Sequence, residues 1–220
     1  ALVFSRQLSL LTLGISIFIA SLSNMIFYFY ILKKEGIFDN FYVDGDTLKG
    51  LIKIGFPFLM LKCAILLFNR IDIMMLSYLK GDEDVGSYSA VYYILESLMI
   101  MANSFAIAFF PTMAQNLKES RGNLIILFNK TFKLLFLISI FLTSFISITG
   151  QKIAFLFYGE KFYQSGIILA IVIWTLVFYS MDLPGSRLLF AADKKKELIG
   201  IFICGIALNV GVNLLLIPRI

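Results

Sequence analysis

Apolar residues in this chain come in long runs, not in the strict alternation of a half-buried strand or the one-sided stripe of a soluble helix. A helix crossing the roughly 30 Å hydrocarbon layer of a bilayer needs about 20 mostly apolar residues. Six segments are long enough, at about 8–32, 51–79, 85–114, 132–149, 166–192 and 198–217. The second holds Pro57, Lys62, Arg70 and Asp72, the third Glu96, Asn103 and Pro111, and the fifth Asp182 and Pro184. Between the fourth and fifth, Gln151 to Ser165 reads QKIAFLFYGEKFYQS, half apolar, and is expected to form an interfacial or re-entrant hairpin. The pattern predicts an all-α, polytopic membrane helix bundle with about six spans.

Cationic residues give an independent test, because cytoplasmic loops and adjoining span ends carry an excess of Lys and Arg. With six spans, one side receives Lys33, Lys34, Lys49, Lys53, Lys118, Arg121, Lys130, Lys133, Arg187, Lys194, Lys195 and Lys196. The other receives Arg6, Lys80, Lys152, Lys161 and Arg219, and only Lys62 and Arg70 remain inside spans. This split of twelve against five puts both ends of the chain outside the cytoplasm. The inner segment from Lys33 to Gly50 mixes Phe38, Phe41 and Tyr42 with charges, which fits either an amphipathic piece lying on the headgroups or a solvated linker. Ala1 is not a methionine and Ile220 directly follows Leu214-Leu215-Leu216-Ile217-Pro218-Arg219, so both ends read as cuts in a longer chain. The first apolar run is too long for a signal peptide and lacks a small-residue cleavage site.

Composition narrows the chemistry. Residues are 60% hydrophobic and 15% charged, against about a quarter charged in soluble domains. There is no histidine, which removes the usual proton shuttle and the commonest metal ligand. Cys63 and Cys204 lie in apolar stretches without CxxC spacing, and are expected to be buried, unpaired thiols. The net charge of +5 is scattered between apolar runs, so it describes topology and not nucleic-acid binding. No GxxxxGK[ST], paired CxxC or HExxH motif is present, and no cofactor or metal is expected.

Charges inside spans need a reason, since a cation at the bilayer centre costs about 2.5–3.5 kcal/mol on insertion scales. Lys62 lies about 16 Å into the second span, near mid-membrane. Asn69, seven residues on, shares its face, and Arg70 is turned by roughly 80°. Lys62, Arg70 and Asn69 are therefore candidates for an anion-binding wall, with the Arg fork and the Lys point charge suited to a diphosphate. The alternatives are an ion pair of Lys62 with Glu96 or Asp182, and a snorkelling Arg70. Glu96 and Asp182 are candidates to carry a proton or sodium ion; Asp72 is a third, or it pairs locally. Asn103, Asn209 and Asn213 are expected to join helices. Tyr88, Tyr92 and Tyr93 fit an interfacial belt or a cavity lining.

The second and third spans carry Gly55-x-Pro57, the Ile71-Asp72 pair before an apolar run, Val85-Gly86-x-Tyr88, and Phe110-Pro111. Further on stand FLFYGEKFYQSG and LNVGVNLLLIPRI. In these the chain resembles the polysaccharide flippases of the multidrug, oligosaccharidyl-lipid and polysaccharide exporter superfamily. The resemblance implies a MATE-like flippase fold, a V-shaped bundle of two six-helix halves, of which this chain would supply spans six to eleven of about twelve. Residues 1–50 would be the last span of the N-terminal half plus a cytoplasmic linker, and residues 51–220 most of the C-terminal half. The implied function is transport of undecaprenyl-diphosphate-linked oligosaccharide across the cell inner membrane in polysaccharide or O-antigen biosynthesis. Cavity cations would handle the diphosphate. Partners would be the lipid-linked oligosaccharide, membrane lipid and other polysaccharide assembly proteins, with no nucleic acid. Competing readings are a multidrug or cation antiporter of the same superfamily and a membrane-embedded glycan polymerase; short outer loops argue against the polymerase, and deep cations against the antiporter.

Overall fold

The computed structural model describes residues 10–36 and 44–217. Helices α1 (Leu10–Lys34), α2 (Gly45–Lys80), α3 (Asp82–Glu119), α4 (Arg121–Tyr158), α5 (Ser165–Val172), α6 (Thr175–Ala191) and α7 (Lys195–Leu216) follow one another, with one 3-10 turn at Glu160–Phe162. No strand occurs among the described residues. Among the described residues six stretches are long and apolar enough to cross a membrane, α5 and α6 counting together as one. The chain is a multi-pass, all-α membrane protein. Arg6, Phe38, Phe41, Tyr42 and Arg219 lie outside the described residues.

The chain divides into two compact units, residues 1–53 and 54–220, and the division passes through α2. In the first, α1 ends on Lys33 and Lys34, and from Gly14 onward its side chains are exposed, as suits a helix solvated by hydrocarbon. Asp44 caps α2: its Oδ1 accepts the Thr47 backbone N–H at 2.5 Å, the common arrangement at a helix start. That bond holds the Asp44 carboxyl below its usual range. The cap is therefore present above the ordinary carboxylate pKa and is lost as pH falls through the lowered value.

In the second unit α3, α4, α5 and α6 pack around one core, with α7 against α6. Val91, Leu95, Ala102 and Ala106 of α3 meet Leu135 and Ile146 of α4, Leu169 of α5 and Leu176 and Leu183 of α6. Hydrocarbon solvates an apolar side chain as well as a neighbouring helix does, so close backbone approach must supply much of the cohesion. Helix α4 provides it by burying small residues at helical spacing, Thr131, Ser139, Thr143, Gly150 and Ala154. Gly150 and Gly166 form the tightest point. A Cβ on Gly150 would stand 2.7 Å from the Gly166 carbonyl oxygen, and one on Gly166 would stand 2.3 Å from Gln151 Cα.

Four expectations from the sequence are corrected. The segment from Gln151 is no hairpin: α4 runs on to Tyr158 and turns at Gly159, whose φ is 81°, before the 3-10 turn leads into α5. The fifth span is broken into α5 and α6 around Ile173 and Trp174, although no Gly or Pro stands at the break. There Trp174 N–H donates to the Ile171 carbonyl at 3.2 Å, leaving the Ala170 carbonyl for Ser147 Oγ at 2.9 Å; Thr143 Oγ1 donates to the Ile173 carbonyl at 3.3 Å. Such side-chain donors are what a break inside a bilayer requires. Cys63 and Cys204 are exposed, not buried, because they lie on sides of α2 and α7 turned away from the core. The Asn213 amide donates to Asn209 Oδ1 at 2.7 Å along α7 itself, so that pair does not join two helices.

At the α6–α7 corner, Asp193 takes the left-handed conformation with φ 59°. Lys194 N–H donates to the Leu189 carbonyl at 2.9 Å and Asp193 N–H to the Phe190 carbonyl at 3.1 Å. This double closure ends α6 and sets the register at which Lys195 starts α7.

Candidate functional site

Helix α2 buries only Leu61 and Ala64 and meets the other helices of its unit through side-chain tips at separate levels. Near the Gly81 turn, Arg70 Nη2 donates to both Glu96 oxygens, at 2.8 and 3.1 Å. The Arg70 guanidinium also lies 5.7 Å from the Tyr92 ring centre. Tyr88 donates to Asp72 Oδ2 at 2.6 Å, and Tyr92 to the Asn69 backbone carbonyl at 2.9 Å. The Tyr88 and Tyr92 rings stack at 5.9 Å. Four of the six residues singled out in the sequence, Asn69, Arg70, Asp72 and Glu96, thus form one α2–α3 clasp. Glu96 is engaged by Arg70 and not by Lys62. Asp72 Oδ1 is buried without a hydrogen-bond partner among the described residues.

At the opposite end of α2, Phe58 meets Phe190 of α6 edge-on at 5.9 Å, and Phe190 meets Phe110 of α3 at 5.9 Å. Lys195 Nζ of α7 sits 4.0 Å over the Phe58 ring, a cation–π contact. Phe68 packs on Phe202 of α7 at 5.7 Å. Between the aromatic clasp and the polar clasp, the α2 face carries Lys62. It is exposed, and no anionic group stands within ion-pair distance of it among the described residues. Asp182, on α6, is also exposed and outside both clasps.

Arg187 does not stand out in the sequence, where it counts equally well as a cation at a span end. In the structure it lies in α6, partly buried, and its Nη2 donates to Asn103 Oδ1 of α3. Asn103 does join helices, as the sequence suggested. Arg187 Nε is buried without a partner among the described residues. The signal that could have found Arg187 is its helical spacing: it stands seven residues after the buried Ser180 and three before Phe190, on the side of α6 that packs.

Among the described residues, six apolar spans with charged groups gathered along one weakly buried helix define a polytopic membrane protein. The sequence profile of the polysaccharide biosynthesis protein family matches residues 1–117, which include α1, α2 and most of α3. The chain belongs to that family. Nothing among curated proteins or solved structures matches it.

Proposed function

We propose that the chain is part of a transporter that moves a polyprenyl-diphosphate-linked oligosaccharide across the cell inner membrane for polysaccharide or O-antigen assembly, without covalent chemistry. The observation that carries this reading is Lys62, a cation about mid-way along a membrane-crossing helix, exposed between two clasps and lacking a carboxylate partner among the described residues. A charge held at that depth needs a polar surrounding or an anionic ligand, and a diphosphate is such an anion. Family membership supplies the saccharide context. The uneven distribution of Lys and Arg supports placing the Lys195 end of the unit on the cytoplasmic side, where the lipid-linked precursor would enter.

Arg70 and Asn69 serve this reading less directly than Lys62. Arg70 already has Glu96 as its counter-charge, and the bonded group of Asn69 is its backbone carbonyl. Their role is to hold α2 against α3 on the far side of the substrate cation. Asp72 and Glu96 share that clasp, so any coupling ion taken up there would compete with Tyr88 or Arg70. Asp182 remains a separate candidate for coupling. An antiporter of cationic drugs would need an acidic cleft, and the free charge between the clasps is positive.

Replacing Lys62 with alanine in the full-length protein is expected to reduce surface glycan by at least about tenfold at equal membrane protein level, the loss of one charge-assisted contact. Lys62→Arg should retain a substantial part. Undiminished glycan export by Lys62→Ala would remove Lys62 from the substrate path.

A further inference from the structure

The break between α5 and α6 is a tightening of the backbone, not an uncoiling. Trp174, Leu176 and Val177 N–H donate three residues back, to the carbonyls of Ile171, Ile173 and Trp174, at 3.2, 2.9 and 3.1 Å. A 3-10 stretch inside a longer helix often marks a hinge. The local sequence, Ile171-Val172-Ile173-Trp174-Thr175-Leu176-Val177, holds neither Gly nor Pro and does not forbid an ordinary α-helix. In that helix Trp174 N–H passes to the Ala170 carbonyl and Val177 N–H to the Ile173 carbonyl. These are the two acceptors that Ser147 and Thr143 of α4 now hold.

The two hydroxyls also have a second place to go. A helical Ser or Thr can turn its hydroxyl onto the carbonyl four residues back, and Thr131 and Thr149 of the same helix do so, at 2.9 and 2.7 Å. For Thr143 and Ser147 those carbonyls belong to Ser139 and Thr143. Both arrangements leave these donors and acceptors paired. Full pairing is the condition that a bilayer sets on a span, so the broken and continuous forms differ by the exchange of a few equivalent bonds.

We propose that the α5–α6 break is a switchable hinge, latched by Ser147 and Thr143, that closes into one continuous helix when the two hydroxyls turn back onto α4. Helix α5 is the fixed side: Ser165, Gly166 and Leu169 are buried, and Gly166 lies against Gly150 and Gln151. Helix α6 has no buried residue after Pro184 and is the side that moves. Exchanging three 3-10 bonds for α bonds shortens the stretch by about 1.5 Å and turns α6 by about 60°, which takes Arg187 off Asn103. The hinge is independent of which substrate the protein moves.

The test uses the full-length protein in lipid nanodiscs, with fluorotryptophan incorporated and the Trp174 resonance assigned by its loss in Trp174→Phe. Fluorine NMR reads the populations of the two forms, and amide exchange across residues 171–177 tells a continuous helix from a frayed one. Ser147→Ala combined with Thr143→Val removes both latches at little change in volume. It should raise the ratio of continuous to broken form about tenfold or more and slow the exchange. Thr175→Pro removes an amide that the continuous helix needs, at the first position of α6 where Pro is tolerated, and should leave only the broken form. Faster exchange in the double variant, or a Trp174 resonance that neither change moves, would make the break a fixed feature and overturn the proposal. Should the double variant fail to insert, Ser147→Ala alone, expected to raise the ratio about fivefold, decides by the same two readouts.

Discussion

Gly166→Ala is expected to loosen the α4–α5 contact by at least the 1–3 kcal/mol typical of an overpacked interior, and Gly166→Val by more. The added methyl would meet Gln151 Cα at 2.3 Å and Gln151 N at 2.5 Å. These are backbone atoms, which cannot rotate aside as a side-chain tip can, so one helix must move. Movement there also pulls on Ser147 and Thr143, whose hydroxyls supply donors to the carbonyls of the α5–α6 break. Gly200 is the control: a Cβ there meets nothing within 4 Å, and Gly200→Ala in a helix should be neutral or stabilise by up to about 1 kcal/mol. Reversible unfolding in detergent micelles, followed by circular dichroism, separates the two. Equal stability of Gly166→Ala and Gly200→Ala would contradict the close approach of α4 and α5.

The second large effect concerns the polar clasp. Arg70→Leu leaves Glu96 facing an apolar surrounding without its counter-charge, and Glu96→Leu does the same to Arg70. Buried pairs broken from one side lose about 3–5 kcal/mol, whereas exposed pairs lose about 0–1. With side-chain exposures of 40% and 35%, this pair falls between the two, at about 2 kcal/mol for either single change. The paired Arg70→Leu, Glu96→Leu variant should recover most of that loss, because no charge is then left alone. A double variant as unstable as the sum of the singles would mean that the two residues act independently.

Much of the architecture was legible from hydropathy, because a span must be apolar over about 20 residues whatever its partners are. The six runs therefore appear as helices, and Lys62, Arg70, Glu96 and Asp182 stood out because charge is costly in that setting. Pairing was not legible. Glu96 could meet Lys62 or Arg70 by sequence alone, and only the rotation of α2 against α3 gives it to Arg70. The break between α5 and α6 carries no Pro or Gly signal; it depends on hydroxyls of α4 that stand 30 and 23 residues before the carbonyls they reach. Arg187 was overlooked for a different reason, since a cation four residues from the end of an apolar helix satisfies the positive-inside pattern without a partner. Asn103, distant in sequence, reveals that it points into the bundle.

In the transport reading proposed above, the two clasps leave α2 free to shift against the rest of its unit. Tip-to-tip contacts through Arg70, Asp72 and Phe58 can be exchanged without disturbing the tightly packed α4–α5 contact. A rigid unit with one loosely joined helix fits hinge or shear motion better than a uniformly packed bundle does. Lys62 lies on the loosely joined helix, so in the transport reading proposed above ligand binding and helix position act on the same element.

The most direct measurement is transfer of a fluorescent polyprenyl-diphosphate oligosaccharide across the membrane of sealed vesicles reconstituted with the full-length protein. Wild type is predicted to move the probe from one leaflet to the other faster than protein-free vesicles do, and Lys62→Ala to slow it by about tenfold at equal reconstitution. Transfer by wild type no faster than in protein-free vesicles, with the protein folded and inserted and an ion gradient of either sign imposed, would contradict the account.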